Sequence, residues 1–93
     1  MKITKLDIYR REREGSRLKA FVDFTLDDCL AIRGAKIIDG KTRVFVSMPG
    51  KMNKEGKEEN VVFPINKEMR DYLETTILDE YNRILKEESN VSE

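Results

Sequence analysis

The hydrophobic period of this chain changes once, shortly after Pro64, and that change limits what it can fold into more than any other feature. Upstream, Leu18, Ala20, Val22, Phe24 and Leu26 are apolar and mostly polar residues lie between them, a period of two. Alternate side chains of a strand point to opposite faces, so this run predicts a strand over 18–26 with one buried face. Downstream, Met69, Tyr72, Leu73, Ile77, Tyr81, Ile84 and Leu85 recur at helical spacing. They predict one amphipathic helix, capped by Asn66 and beginning soon after Pro64. Its other face carries Glu68, Asp71, Glu74, Asp79, Glu80 and Arg83, which read as a solvated acidic surface.

The remaining strands follow from turn chemistry. Residues 3–10 are rich in β-formers with Leu6 and Ile8 in phase, and Glu14-Gly15-Ser16 supplies a turn to the 18–26 strand, which predicts an antiparallel hairpin. Asp27-Asp28 marks a second turn, followed by an apolar stretch over 29–38 that Arg33-Gly34 interrupts. A glycine inside a strand pattern predicts a bulge or a close backbone approach. Asp39-Gly40-Lys41 leads into Val44-Phe45-Val46-Ser47-Met48, which Pro49-Gly50 ends. The polar excursion 51–60 and the short apolar run Val61-Val62-Phe63 then predict a hairpin with a long, charged, mobile connection.

These elements predict an α+β fold, a small and mainly antiparallel β-sheet of four to five strands with one long C-terminal helix packed on one face. Residues 1–87 form a single domain and 88–93 a flexible polar tail. Phe24 and Phe45 are expected in the core. Phe21 falls on the opposite strand face, with Tyr9 near it; two such aromatics either stack bases or pack in a core or dimer contact. A lone helix cannot shield both sheet faces, and an open edge invites pairing, so a homodimer through a sheet edge or face is expected.

Composition narrows the function. With 39% hydrophobic and 39% charged residues, the chain is too apolar for a disordered tail and too charged for a membrane span. The N-terminus alternates polar with apolar residues and lacks the apolar run of a signal peptide, so a cytoplasmic protein is expected. The single cysteine, Cys29, reads as a small residue near the start of a strand, and no redox or metal framework is expected. There is no histidine, which excludes Ser-His-Asp and Cys-His arrangements. Glycines at 15, 34, 40, 50 and 56 are too dispersed for a dinucleotide or phosphate loop, and the Asp27-Asp28 and Glu58-Glu59 pairs read as turn and surface residues. No catalytic residue, cofactor, metal or small-molecule substrate is therefore expected.

Formal net charge is zero, yet it is segregated. Residues 1–57 hold 14 Lys and Arg against 8 Asp and Glu, and residues 58–93 hold 4 against 10. Such asymmetry either leaves a basic face or lets the two parts attract one another. The basic candidates are Lys51, Lys54 and Lys57 in the excursion, Arg43 with Lys41 upstream, and Lys67 and Arg70 in the first turn of the helix. Cations beside a helix N-terminus suit a phosphate backbone. Glu55, Glu58 and Glu59 share the excursion and weaken its field, so a solvated hairpin tip is the competing reading.

Ile38-Asp39-Gly40, Val44-Phe45-Val46-Ser47-Met48-Pro49 and Pro64-Ile65-Asn66, in that order and spacing, resemble the SpoVG (stage V sporulation protein G) family. So does the opening from Ile3 to Leu26, with Thr25-Leu26-Asp27 at its end, and the likeness covers about residues 2–85. The resemblance implies an antiparallel sheet with a C-terminal helix, a homodimer, and a bacterial regulator that binds DNA, in some members RNA, and influences sporulation and septation. In that family the Met-Pro element is followed by Ser-Lys-Arg, whose cations are implicated in DNA contact. Lys51 keeps the first cation and Met52 replaces the arginine, losing bidentate pairing with guanine or phosphate. Phe63 stands where relatives have histidine. A protein-interaction module that docks its acidic helix or a sheet edge on a partner is the alternative, and an enzyme acting on a small ligand is the remotest.

Overall fold

The computed structural model describes residues 1–11 and 15–91, with side chains described as far as residue 87. Four strands, β1 (Ile3–Arg10), β2 (Leu18–Leu26), β3 (Leu30–Asp39) and β4 (Val44–Ser47), form an antiparallel sheet in sequence order. Two short strands, β5 (Gly50–Met52) and β6 (Glu58–Asn60), make a separate hairpin, and α1 spans Lys67–Val91. This is the α+β arrangement that the period change predicts. Glu14 of the first turn lies outside the described residues, as do the side chains of the tail expected over 88–93; the helix backbone continues to Val91. No helix among the described residues is long and apolar enough to cross a membrane.

Alternation in β2 produces the core directly: Ala20, Val22, Phe24 and Leu26 are buried while the residues between them are not. Ile32, Ala35 and Ile37 of β3 join them, and Leu73, Ile77 and Tyr81 of α1 close the cluster from above. Spaced four apart, these three side chains lie in one row along the helix. Each fully buried large side chain contributes about 1.5–3 kcal/mol by leaving water.

Ile32 and Ala35 are three apart, and in an unbroken strand they would face opposite ways. A bulge restores their phase: Val22 pairs with Ala35 and Phe24 with Ile32, so Asp23 faces both Arg33 and Gly34. Gly34 sits at φ +88, open to glycine without strain, and its N–H donates to Asp23 Oδ1 at 3.1 Å. A second irregularity, at Thr4, lets its hydroxyl oxygen accept from the Asp28 N–H at 2.9 Å. Asp27 and Asp28 both take positive φ, 50 and 55, in a turn closed by the Cys29 N–H bonding to the Leu26 carbonyl at 3.0 Å. That is the backbone twist a tight hairpin requires, and aspartate tolerates it better than most residues. Asp27 Oδ1 also accepts from the Lys2 N–H at 2.9 Å, so the turn holds the start of β1. Exposed Cys29 sits within this turn, one residue ahead of β3.

The cap expected at Asn66 is formed: its Oδ1 accepts from the Met69 N–H at 2.8 Å. Tyr72 Oη accepts from the Ile3 N–H at 3.0 Å and ties the helix to the edge of the sheet. Lower on the helix, Arg83 binds Glu80 and Glu87. The Arg83 guanidinium hydrogen-bonds the Glu80 carboxyl and holds it below its ordinary value, against a smaller burial effect. A carboxyl so depressed stabilises the fold above its unfolded pKa, and that contribution is lost as pH falls through the folded value.

Two expectations need correction. Phe45 is not in the core: it pairs with Ile38 on the face away from α1, while Val44 and Val46 take the core side of β4. The run Val61-Val62-Phe63 forms no strand. Instead the polar excursion itself pairs, Gly50 with Asn60, Lys51 with Glu59 and Met52 with Glu58. Pro49 has no N–H with which to extend that ladder, and its carbonyl accepts from the Val61 and Val62 amides at 2.8 and 3.4 Å. The connection is also short and hydrogen-bonded, since Asn53 Oδ1 accepts from the Glu55 and Lys57 amides at 2.9 and 3.0 Å.

Phe24→Ala should cost about 3–5 kcal/mol, the usual range for a buried phenylalanine, and Phe45→Ala clearly less. Urea unfolding followed by circular dichroism checks the difference; equal costs would contradict this division of the two faces.

Candidate functional site

Of the seven candidate cations, Lys41 is exposed in the bend before β4 and three belong to the β5–β6 hairpin. Lys51 is exposed on β5 opposite Glu59, and Lys54 and Lys57 are exposed in the turn that Asn53 organises. Gly50 makes this narrow hairpin possible. A Cβ there would stand 2.6 Å from the Glu59 carbonyl oxygen, so no other residue fits without displacing backbone.

The other three lie near the helix start. Lys67, the first helical residue, bonds Asp71 at 2.8 Å, which raises the pKa of its ammonium. Arg43, just before β4, approaches Glu74 of α1 at 3.2 Å. The Glu74 oxygen concerned has no hydrogen-bond partner, so this is charge pairing without hydrogen-bond geometry. Arg70, one turn ahead of Glu74, is exposed.

Arg43 and Arg70 are brought together. They line one groove of about 370 Å³ with Ser47, Asn60, Phe63 and Glu74. Asn60 ends β6, so the root of the lysine hairpin forms part of the groove wall. Lys67 and the three hairpin lysines are not in the lining and stand outside it. Among the described residues, no ion pair holds Lys54, Lys57 or Arg70. The groove therefore offers two guanidinium groups, one shared with a carboxylate, together with an amide. Such a set presents positive charge and hydrogen-bond donors together.

Ser47, Asn60 and Glu74 are absent from the candidates drawn from the sequence. Only Glu74 carried a local signal, its i,i+4 spacing from Arg70. Beside the groove, across Phe63 and Pro64, lies an apolar hollow of about 440 Å³ lined by Leu30, Met48, Ile65 and Met69 among others. Side chains lining it are unusually open for their type: Ile65 is 89% exposed, Phe63 56% and Leu30 49%.

Taken together, this is a small α+β domain with a one-sided sheet, a hairpin carrying three lysines and three glutamates, and a two-arginine groove at the helix start. The chain belongs to the SpoVG family, whose model matches residues 1–83. It is similar to proteins named "Putative septation protein SpoVG" from several bacteria. That of Anaeromyxobacter sp. (strain Fw109-5) is 42% identical over 86 residues, covering 92% of this chain and 87% of the relative. That of Bdellovibrio bacteriovorus is 37% identical over 86 residues, covering 92% and 78%. In Caldicellulosiruptor saccharolyticus the figures are 34% over 85 residues, covering 91% and 96%.

Proposed function

We propose that this protein is a non-enzymatic cytoplasmic regulator that binds DNA, and RNA in the same way, as a homodimer, and thereby influences gene expression, sporulation and septation. The observation that carries the reading is the meeting of Arg43 and Arg70 in one groove whose wall includes the foot of the Lys51, Lys54 and Lys57 hairpin. Septation is what the names of its relatives state. Phosphate contact supplies most of the affinity and little sequence preference, since phosphates carry no sequence information. Met52 in place of the family's arginine fits that weak preference, because a thioether cannot read guanine.

Pairing of two chains is supported by the open apolar residues Val62, Phe63, Ile65 and Leu30 around one hollow beside the groove. Monomers rarely leave such a group contiguous and uncovered. Joining two copies there brings two helix starts and two lysine hairpins close to one nucleic acid.

One observation favours a different reading, a protein-docking module. Lys67 and Arg43 are each engaged by a carboxylate and Lys51 stands opposite Glu59, which weakens the field at the groove. A pull-down that survives nuclease treatment would support that reading, and loss of partners after nuclease would count against it.

Binding to labelled duplex DNA and single-stranded RNA is measured by fluorescence anisotropy across a salt series. Affinity should fall linearly with salt on logarithmic axes, and Lys51→Ala with Lys54→Ala should make that slope shallower by about 2, roughly one per lost phosphate contact. That change of about 2 is per hairpin engaged, so a dimer that sets both hairpins on one nucleic acid should show about 4. Unchanged affinity and slope would remove these lysines from the site. By sedimentation equilibrium the protein should run at twice its chain mass, and Phe63→Asp with Ile65→Asp should yield the monomer. A wild-type monomer would refute the dimer.

A further inference from the structure

We propose that the sheet face opposite the helix is a second nucleic-acid surface, one that takes single strands by stacking bases on Tyr9 and Phe21. This rests on the nucleic-acid reading and extends it to Tyr9, Phe21 and Lys36, which the basic groove does not include. Registers align Tyr9 of β1, Phe21 of β2, Lys36 of β3 and Ser47 of β4 in one row across the sheet. Their neighbours Ile8, Val22, Ile37 and Val46 pack in or against the core, so the row faces away from α1. Directly opposed residues on one face stand about 4.5–5.5 Å apart, so the two rings are adjacent. Tyr9 is 51% exposed, although a tyrosine ring usually buries much of its surface. Phe45, displaced from the core, faces the same side one step along β4 from the row.

Charge separates the possible occupants of this face. Lys36 is the register partner of Phe21 and sits at the end of the aromatic pair, where a phosphate would follow a stacked base. On the other side Tyr9 shares a small depression with Lys5 and Arg33. Asp7 and Asp23 also line it and stand directly opposite each other. Both are already engaged, Asp23 by the Gly34 N–H at 3.1 Å and Asp7 by Lys5 at 3.9 Å. Among the described residues no ion pair holds Lys36 or Arg33. A second copy of the chain laid on this face would bury Lys5, Asp7, Asp23, Arg33 and Lys36 together, and burying charges costs far more than apolar contact returns. A duplex hides its bases, whereas a single strand offers ring faces to stack and a backbone for the flanking cations. DNA and RNA single strands carry both groups alike and bind here alike.

The test uses short labelled oligo(dT) and oligo(U) with the whole protein. Stacking on one aromatic is worth about 1–3 kcal/mol, so Tyr9→Ala should weaken both by about 5-fold or more and leave duplex binding unchanged. Tyr9→Phe keeps a ring and should retain affinity. The chain has no tryptophan, and of its three tyrosines Tyr81 is buried and Tyr72 is bonded to the Ile3 amide. Stacking should therefore quench tyrosine emission in wild type and in Lys51→Ala/Lys54→Ala, and the quench should vanish in Tyr9→Phe while binding persists. Equal oligonucleotide affinity in wild type and Tyr9→Ala would overturn the stacking surface and leave the basic groove standing. A drop in sedimenting mass in Tyr9→Ala with unchanged affinity would overturn it too, making the face a contact between copies. Loss of duplex binding in Lys51→Ala/Lys54→Ala has no bearing on it.

Discussion

The row Leu73, Ile77 and Tyr81, pressed onto Val22, Phe24 and Ile37, is the contact on which the rest of this protein depends. A sheet of four strands is stable only if one face is covered, and here one helix does all the covering. Placing α1 there has two consequences. Its N-terminus arrives next to β4 and the β5–β6 hairpin, which sets Arg70 and Glu74 against Arg43. The opposite sheet face is left to solvent, with Tyr9, Phe21 and Lys36 in line upon it.

Local devices keep the sheet in phase with that helix. Without the bulge at Gly34, either Ile32 or Ala35 would turn away from α1, and a one-residue slip sends a whole strand segment to the wrong face. The Asp27-Asp28 turn and the Thr4 irregularity do comparable work at the other end, fastening the start of β1 through the Lys2 and Asp28 amides. The tie from Tyr72 to the Ile3 amide joins the same strand to the helix, so β1 is held from two sides.

Much of this was legible in the residues themselves. Alternation over 20–26, the helical spacing after Asn66, the glycine within the third strand and the cap are all local patterns that survive folding here, whereas Leu18, expected on the buried face, is put out of phase by a register shift that pairs it with Ile38. Phe45 was not legible, because a strand of four residues has too few alternations to fix which side faces the core. Val61-Val62-Phe63 misled for a different reason. Its apolar run suggests a buried strand, yet Pro49 stops the ladder and leaves these side chains open. The groove was legible only as a set of charges. Which cations meet depends on α1 crossing beside β4, a contact between residues some 30 positions apart that no period encodes. Phe21 with Tyr9 was visible as a pair, but its continuation to Lys36 and Ser47 required the registers.

On the proposed function, the hairpin and the helix start, not the acidic length of α1, meet the nucleic acid. Amide chemical-shift perturbation on isotope-labelled protein, titrated with a short DNA duplex, tests it most directly. Cross-peaks of Arg43, residues 50–60 and residues 67–70 should move together and return as salt is added. Shifts confined to residues 74–87, or no shifts at low salt, would contradict it.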